Sequence, residues 1–567
     1  MTAAPDEGIP PEAVRLSELS TDVLLDSLPL RDRIAQLVMP WIGGGYTAFD
    51  EAAFERAARW VDSLHVGGII ISIGSPLDVA ARLNRLQRVS PLPLLVASDL
   101  ESGTTFRLIG GTPFPPNMGI GAGGREMDAY EVGRITAMEG RAVGIHVTFA
   151  PVADLNNNPA NPIINTRSFG EDPELVSRLV AAAVEGIQDH DMVAAAKHFP
   201  GHGDTGTDSH IALPVITADW NRMDSVELVP FRAAIDADVG MVMSAHIALP
   251  GIDRGQLRAG TVAPNILTGL LRDSLDYDGI VVTDALNMGA LVNSYGGGEA
   301  AVLAFEAGAD LLLQPADPAV TIDAMEAAVQ SGRISEERLD ASVRRILELK
   351  RDLGLFERRT VALDSIGTIV GSAEFQEEAA EIGGRSVVLA SDATGVVDSL
   401  RAAPRTIALV TYAEADAGTI GNALAGELRA AGHRVTILRL WPMSGASAYD
   451  SVRTAIERAP YVVFAPAVRA SAWRGTIGLP DSLAALVNAT ARARPTVLVS
   501  LGTPYMIAQT PAVGSYLLGW AANATMERAA ARALSGAEIS GKLPIRIPPA
   551  LPLGAGLERP ATGRYAE

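Results

Sequence analysis

Gly279-Ile280-Val281-Val282-Thr283-Asp284 is a short aliphatic run that ends on a carboxylate. A run that is apolar at successive positions suits a strand buried on both faces of a parallel sheet. Seven more of this kind lie before residue 358: Leu37–Ile42, Gly68–Ile73, Leu94–Ser98, Val147–Val152, Val193–Lys197, Gly240–Ala245 and Asp310–Leu313. Gly/Pro/Asp-rich loops and helix-like stretches such as Asp50–Leu64, Glu126–Gly144, Glu174–Asp189 and Glu299–Ala307 separate them. Eight strands alternating with helices predict an α/β chain with a TIM-type (β/α)8 barrel. A doubly wound open sheet is the alternative; the barrel is preferred because the count reaches eight without forcing.

Working outward, residues 1–29 read as an N-terminal extension and 30–358 as the barrel. Residues 359–384 read as a linker, partly helical, and 385–567 as a second domain. In that domain Thr406–Thr411, Val435–Leu440, Tyr461–Ala465, Thr496–Ser500 and Tyr516–Trp520 are aliphatic runs. Ile420–Ala431 and Pro480–Arg492 are helical stretches between them. Five strands with crossover helices predict an αβα sandwich. Trp441, Trp473 and Arg474-Gly475-Thr476 sit in its loops, where they either close one side of a pocket or belong to a packed scaffold.

Composition narrows the chemistry. The 567 residues carry 46 Lys+Arg against 66 Asp+Glu, a net charge of −20. That argues against a nucleic-acid partner, which requires a cationic face, and gives no reason to expect an anionic membrane. With no cysteine, disulfides, thiolate metal sites and cysteine nucleophiles are excluded. The first 20 residues lack a basic segment and an apolar core, so they do not read as a signal peptide. No run is long and apolar enough to insert in a membrane. The chain therefore reads as cytoplasmic, or secreted if a leader was removed.

In such a barrel the reacting groups follow the strands at the C-terminal rim. Four of the eight histidines, His198, His202, His210 and His246, follow the fifth and sixth runs, with Lys197, Asp204 and Asp208 among them. Two chemistries fit. One is a metal site on His198 and His202; however, Pro200 and Gly201 lie between them, so the spacing is not helical. The other is acid/base work. Asp208 and His210 are two apart in a Gly/Thr-rich loop, and a carboxylate can fix an imidazole tautomer and stabilise its protonated form. A counterpart is Asp284, which ends a strongly apolar run. A carboxylate facing a proton donor is the arrangement of a retaining glycosidase. Asp284 can equally be the N-cap of the next helix, and spacing alone leaves both open.

The run Lys197-His198-Phe199-Pro200-Gly201-His202-Gly203-Asp204-Thr205-Gly206-Thr207-Asp208-Ser209-His210 resembles glycoside hydrolase family 3, in its β-N-acetylglucosaminidase branch. Leu30–Leu37, His65–Ile70, Arg167–Pro173 and Gly541–Pro544 are similar to other stretches of that family. The resemblance spans about Leu30 to Pro548 and is stronger in the first 350 residues. It implies a barrel followed by an αβα sandwich, acting on terminal β-linked N-acetylglucosamine. Carried over, Asp284 matches the nucleophile, and Asp208 with His210 the acid/base dyad. Asp99, Arg107, Arg167, Lys197 and His198 match the sugar contacts. No metal or organic cofactor is implied.

One position departs from the family. After the third strand the branch usually has Asp-x-Glu-Gly-Gly-Arg; here Asp99-Leu100-Glu101-Ser102-Gly103-Thr104 puts Thr104 in place of the arginine. The expectation is an altered tolerance beyond the first sugar and for the N-acetyl group. The resemblance implies a retaining exo-β-N-acetylglucosaminidase, with peptidoglycan fragments or chito-oligosaccharides as substrate; a monomer or homodimer is the expected form. A neutral imidazole repels an incoming anion less than a carboxylate does, so a β-N-acetylglucosaminide phosphorylase is an alternative. A β-glucosidase of the same family and a metal-dependent barrel hydrolase are the others.

Overall fold

The structure is a computed structural model that describes residues 16, 18–45, 51–415, 417–470 and 477–566. Residues 1–15, Trp473 and Arg474-Gly475-Thr476 lie outside them.

The eight runs form the strands of one parallel barrel. The first is split by Pro40 into β1 (Val38–Met39) and β2 (Trp41–Gly43). β3 (Gly68–Ser72), β4 (Leu95–Ser98), β5 (Val147–Thr148), β6 (Val193–Phe199), β7 (Met241–Ser244) and β8 (Ile280–Val282) follow in spatial as in chain order. β9 (Leu312–Leu313) closes the ring. It pairs parallel with β1, and Val282 bridges Leu311 on its other side. β3, β4, β6, β7 and β8 are buried at every position, as a sheet covered by helices requires. Close approach excludes side chains at some seams: a Cβ on Gly67 would lie 2.0 Å from the Gln36 carbonyl oxygen.

The helices start where local chemistry permits. Ser75 caps Pro76–Val89 and Asp172 caps Pro173–Gln188, each with proline in the first turn. Proline is tolerated there because its missing N–H would have had no intrahelical partner.

The second sheet has six strands, one more than the sequence pattern showed. β10 (Val388–Asp392), β11 (Thr406–Ala413), β12 (Arg434–Leu440), β13 (Tyr461–Ala467), β14 (Thr496–Ser500) and β15 (Ser515–Leu518) lie in the order β10-β15-β14-β13-β11-β12. The added strand, β10, is the antiparallel edge. Its run is short and turns polar at Ser391-Asp392, since an edge strand needs less apolar surface than an interior one.

Two apolar cores result. One fills the barrel and extends to Phe375, Ala379 and Ile382 of the helix Ala373–Ser386, within the stretch read as a linker. The other fills the sandwich and includes Met118 and Ala122 of the barrel helix Asn117–Gly123. The sandwich thus docks on the rim of the barrel, at the loops after β4 and β5.

Candidate active site

Every residue singled out for chemistry lies at the C-terminal end of a barrel strand or in the connection that follows it. Asp99 follows β4, Arg167 closes a short turn in the loop after β5, and Lys197 and His198 lie in β6. Asp208 and His210 follow β6, His246 follows β7, and Asp284 follows β8.

Asp99, Arg107, Arg167 and Lys197 form one network. Lys197 Nζ reaches Asp99 Oδ1 at 2.9 Å and Glu101 Oε1 at 2.8 Å. Arg167 grips Glu101 with two donors, Nε to Oε2 at 2.8 Å and Nη2 to Oε1 at 2.7 Å. Arg107 Nη2 donates to Asp99 Oδ2 at 3.0 Å. Burial alone would raise the Glu101 carboxyl, but Arg167 and Lys197 hold it far below the carboxylate range. Glu101 is the hub and was not among the expected contacts; its two-residue spacing from Asp99 was the available signal.

His198 is oriented by Asp154. Its Nδ1 lies 2.6 Å from Asp154 Oδ2, and its Nε2 faces Arg167 Nη2 at 3.4 Å. A guanidinium only donates, so Nε2 is the acceptor and Nδ1–H donates to Asp154. The amide of His202 also donates to Asp154, at 2.7 Å. Burial would raise Asp154; His198 and then His202 keep it below the ordinary value. Asp154 and His202 were likewise not among the expected contacts, although both adjoin strands already recognised.

Asp208 accepts from His210 twice, at the amide and at Nδ1, both 2.9 Å from Oδ1. Nε2 is the nitrogen that Asp208 does not engage. Asp208 is buried, and the His210 side chain keeps 26% of its exposure.

The structure does not show Asp284 as a helix cap. The next helix, Gly289–Val292, starts after Met288 and has no side-chain cap. Asp284 Oδ1 instead accepts the amide of Ala285 at 2.7 Å, so it caps no helix. Burial would raise its carboxyl; His246, His198 and His210, with the Ala285 amide, bring it down to about 2. His246 braces the same turn: its Nε2 lies 2.9 Å from the Ala285 carbonyl and its Nδ1 2.7 Å from Thr261 Oγ1. A carbonyl only accepts, so Nε2 carries the proton. Burial lowers the affinity of His246 for a second one.

Thr104 stands where the family motif has an arginine. It is 0% exposed, and its hydroxyl donates to Glu139, which also accepts from the Thr112 hydroxyl at 2.6 Å and the Gly371 amide at 2.7 Å. The departure lies in a buried joint between the β4 loop and the chain entering the second domain.

The sandwich reaches the site through the loop after β14. Tyr505 Oη accepts from Asn156 at 2.7 Å and Thr503 Oγ1 from Asn165 at 3.2 Å. Trp441 follows the edge strand β12 and is about half exposed. Among the described residues no group of three His, Asp or Glu side chains is placed to hold a metal ion, and no helix is long and apolar enough to cross a membrane.

Residues 29–349 match the model of the glycosyl hydrolase family 3 N-terminal domain. The chain is 31% identical to a β-N-acetylglucosaminidase/β-glucosidase of Cellulomonas fimi, over 85% of this chain and 88% of that one. It is similar to the structure of a family 3 β-N-acetylglucosaminidase from Paenibacillus sp. str. FPU-7, with a TM-score of 0.81 and 33% identity over 94% and 100% of the two chains. It also resembles the structure of a β-glucoside phosphorylase, BglX, with a TM-score of 0.83 and 25% identity over 95% and 97%. The barrel with its following sandwich, the residues along the rim and these matches lead to one conclusion: the chain belongs to glycosyl hydrolase family 3.

Proposed function

We propose that the protein is a retaining exo-β-N-acetylglucosaminidase. The observation that carries this reading is the pairing of an ionised Asp284, which caps no helix, with an imidazole that Asp208 holds by Nδ1. The relatives named for β-N-acetylglucosaminidase activity support the substrate class.

In the first step the Asp284 carboxylate attacks the anomeric carbon and the glycosidic C–O bond breaks. His210 Nε2–H gives its proton to the leaving oxygen. In the second step water attacks the same carbon, its proton passes to His210, and the ester to Asp284 breaks. Asp208 keeps Nδ1 protonated throughout and stabilises the imidazolium. Asp99, Arg107, Arg167, Lys197 and His198 hold the sugar. Their ion pairs with one another and with Glu101 and Asp154 set the network before substrate arrives, so little reorganisation accompanies binding.

Phosphorolysis is the second reading, favoured by the use of an imidazole where a carboxylate would repel phosphate. The test is nitrophenol release from nitrophenyl β-N-acetylglucosaminide and from the β-glucoside, in phosphate-free buffer containing chelator. Release from the N-acetyl substrate alone supports the proposal. Preference for the glucoside, or loss of activity with chelator, overturns it. Sugar 1-phosphate as the main product on adding phosphate establishes the phosphorylase instead.

A further inference from the structure

The loop that carries Asp208 and His210 is docked on the segment that follows Asp284. The Gly289 amide donates to the His210 carbonyl at 3.2 Å, and the Ala290 amide to the Ser209 carbonyl at 3.3 Å. These amides open the helix Gly289–Val292, where no earlier turn supplies acceptors. The loop carbonyls complete them. The contact is closed to any larger residue: a Cβ on Gly289 would lie 2.6 Å from the His210 carbonyl oxygen and 2.9 Å from that of Ile211. From the other side, His202 Nε2 pairs with Ser209 Oγ at 2.9 Å. His202 is buried and tied by its amide to Asp154 at 2.7 Å. Burial and the neighbouring His198 hold its ring at about 4, so it is a neutral hydrogen-bonding group at assay pH.

We propose that Gly289 and His202 are positioning residues for the proton donor. Gly289 sets how closely the acid/base loop approaches the nucleophile segment, and His202, through Ser209, sets the loop's rotation over the sugar. This rests on the functional reading above. A displacement of about 1 Å at a reacting group can cost about a hundredfold. His202 itself packs edge-on against His198 and is left unaltered; the changes are made at Gly289 and Ser209, which bond the acid/base loop, so the loss falls on proton transfer. Substrates whose leaving groups need no proton are therefore spared.

The test compares Gly289→Ala, Ser209→Ala and Ser209→Thr on dinitrophenyl β-N-acetylglucosaminide and on the unactivated disaccharide diacetylchitobiose. Gly289→Ala and Ser209→Ala are expected to lower kcat/KM on the disaccharide by about ten- to a hundredfold, and on the dinitrophenyl substrate by less than about threefold. Ser209→Thr, which keeps the hydroxyl, restores most of the loss. Equal losses on both substrates, or none on either, overturn the proposal. If Gly289→Ala does not fold, Ser209→Ala, which removes only a hydroxyl, decides the question. Asp284→Ala is run in parallel. Turnover surviving in it defeats the functional reading itself, whereas its loss beside uniform losses in the loop variants defeats only the positioning role.

Discussion

The amide and Nδ1 of His210 both bond to a single oxygen of Asp208, at 2.9 Å each. The carboxylate thus fixes the backbone entering the imidazole as well as the ring itself. With Nδ1 committed, the proton that can be transferred is the one on Nε2. Asp208→Asn leaves the shape and removes the charge that supports the imidazolium. It is expected to lower kcat/KM for diacetylchitobiose by about 10²- to 10⁴-fold and for a dinitrophenyl substrate far less. His210→Ala should show the same asymmetry, with azide, which needs no general base, restoring turnover of the dinitrophenyl substrate. Glycosyl azide in the mass spectrum checks this; its absence removes His210 as the acid/base.

Asp284, held at about 2 by its three histidines against the effect of burial, is ionised throughout the range in which the protein is assayed. A carboxyl with a lowered value loses its charge only as the pH falls through that value. Inactivation by a 2-deoxy-2-fluoro glycoside with a dinitrophenyl leaving group should therefore proceed at a constant rate from about pH 4 to pH 8. A rise centred near pH 4, the ordinary carboxyl value, contradicts the arrangement. Asp284→Ala should abolish turnover, by about three orders of magnitude or more.

Thr104 is buried and its hydroxyl bonds to Glu139. Thr104→Val keeps the shape and withdraws one donor from a buried carboxylate, at a cost of about 1–3 kcal/mol in stability. The ratio of kcat/KM for the N-acetyl substrate to that for the plain glucoside should stay within about twofold, because the buried hydroxyl is turned to Glu139. A changed ratio at unchanged stability would falsify this placement.

Lys350 is fully buried in the barrel core, where Gln36 Oε1 accepts from its Nζ at 2.7 Å. Burial and the neighbouring Arg359 depress its ammonium to about 7. Between that value and the unfolded value of about 10.4, the unfolded chain holds a proton that the folded chain has lost. Stability therefore rises with pH across this window. Lys350→Met lacks the rise, so the urea midpoint of the parent should gain on that of the variant as pH goes from 7 to 9. A difference independent of pH shows that Lys350 does not titrate in this range.

Much of the molecule was legible in the order of its residues. Eight aliphatic runs with helices between them encode a barrel because strand and helix periodicity are local properties, and each run must be buried on both faces. The stretch from Lys197 to His210 carried the family likeness, and the rim after each strand held the residues expected there. Other features depend on what distant segments bring alongside. Spacing left Asp284 open to being a helix cap until the structure placed the Ala285 amide on its oxygen and His246 beside the turn. Thr104 takes an arginine's place in the family motif, and the helix Glu126–Ala142 draws its hydroxyl onto Glu139. The antiparallel β10 escaped notice because an edge strand has one neighbour and little apolar surface. Glu101, Asp154, His202 and Gly289 took their roles from partners that lie mostly on other strands and loops. The sequence by itself determined the barrel and where along the chain its chemistry lies. Only the tertiary structure decided which way each polar group faces, because that is set by hydrogen-bond partners and steric limits supplied from far along the chain.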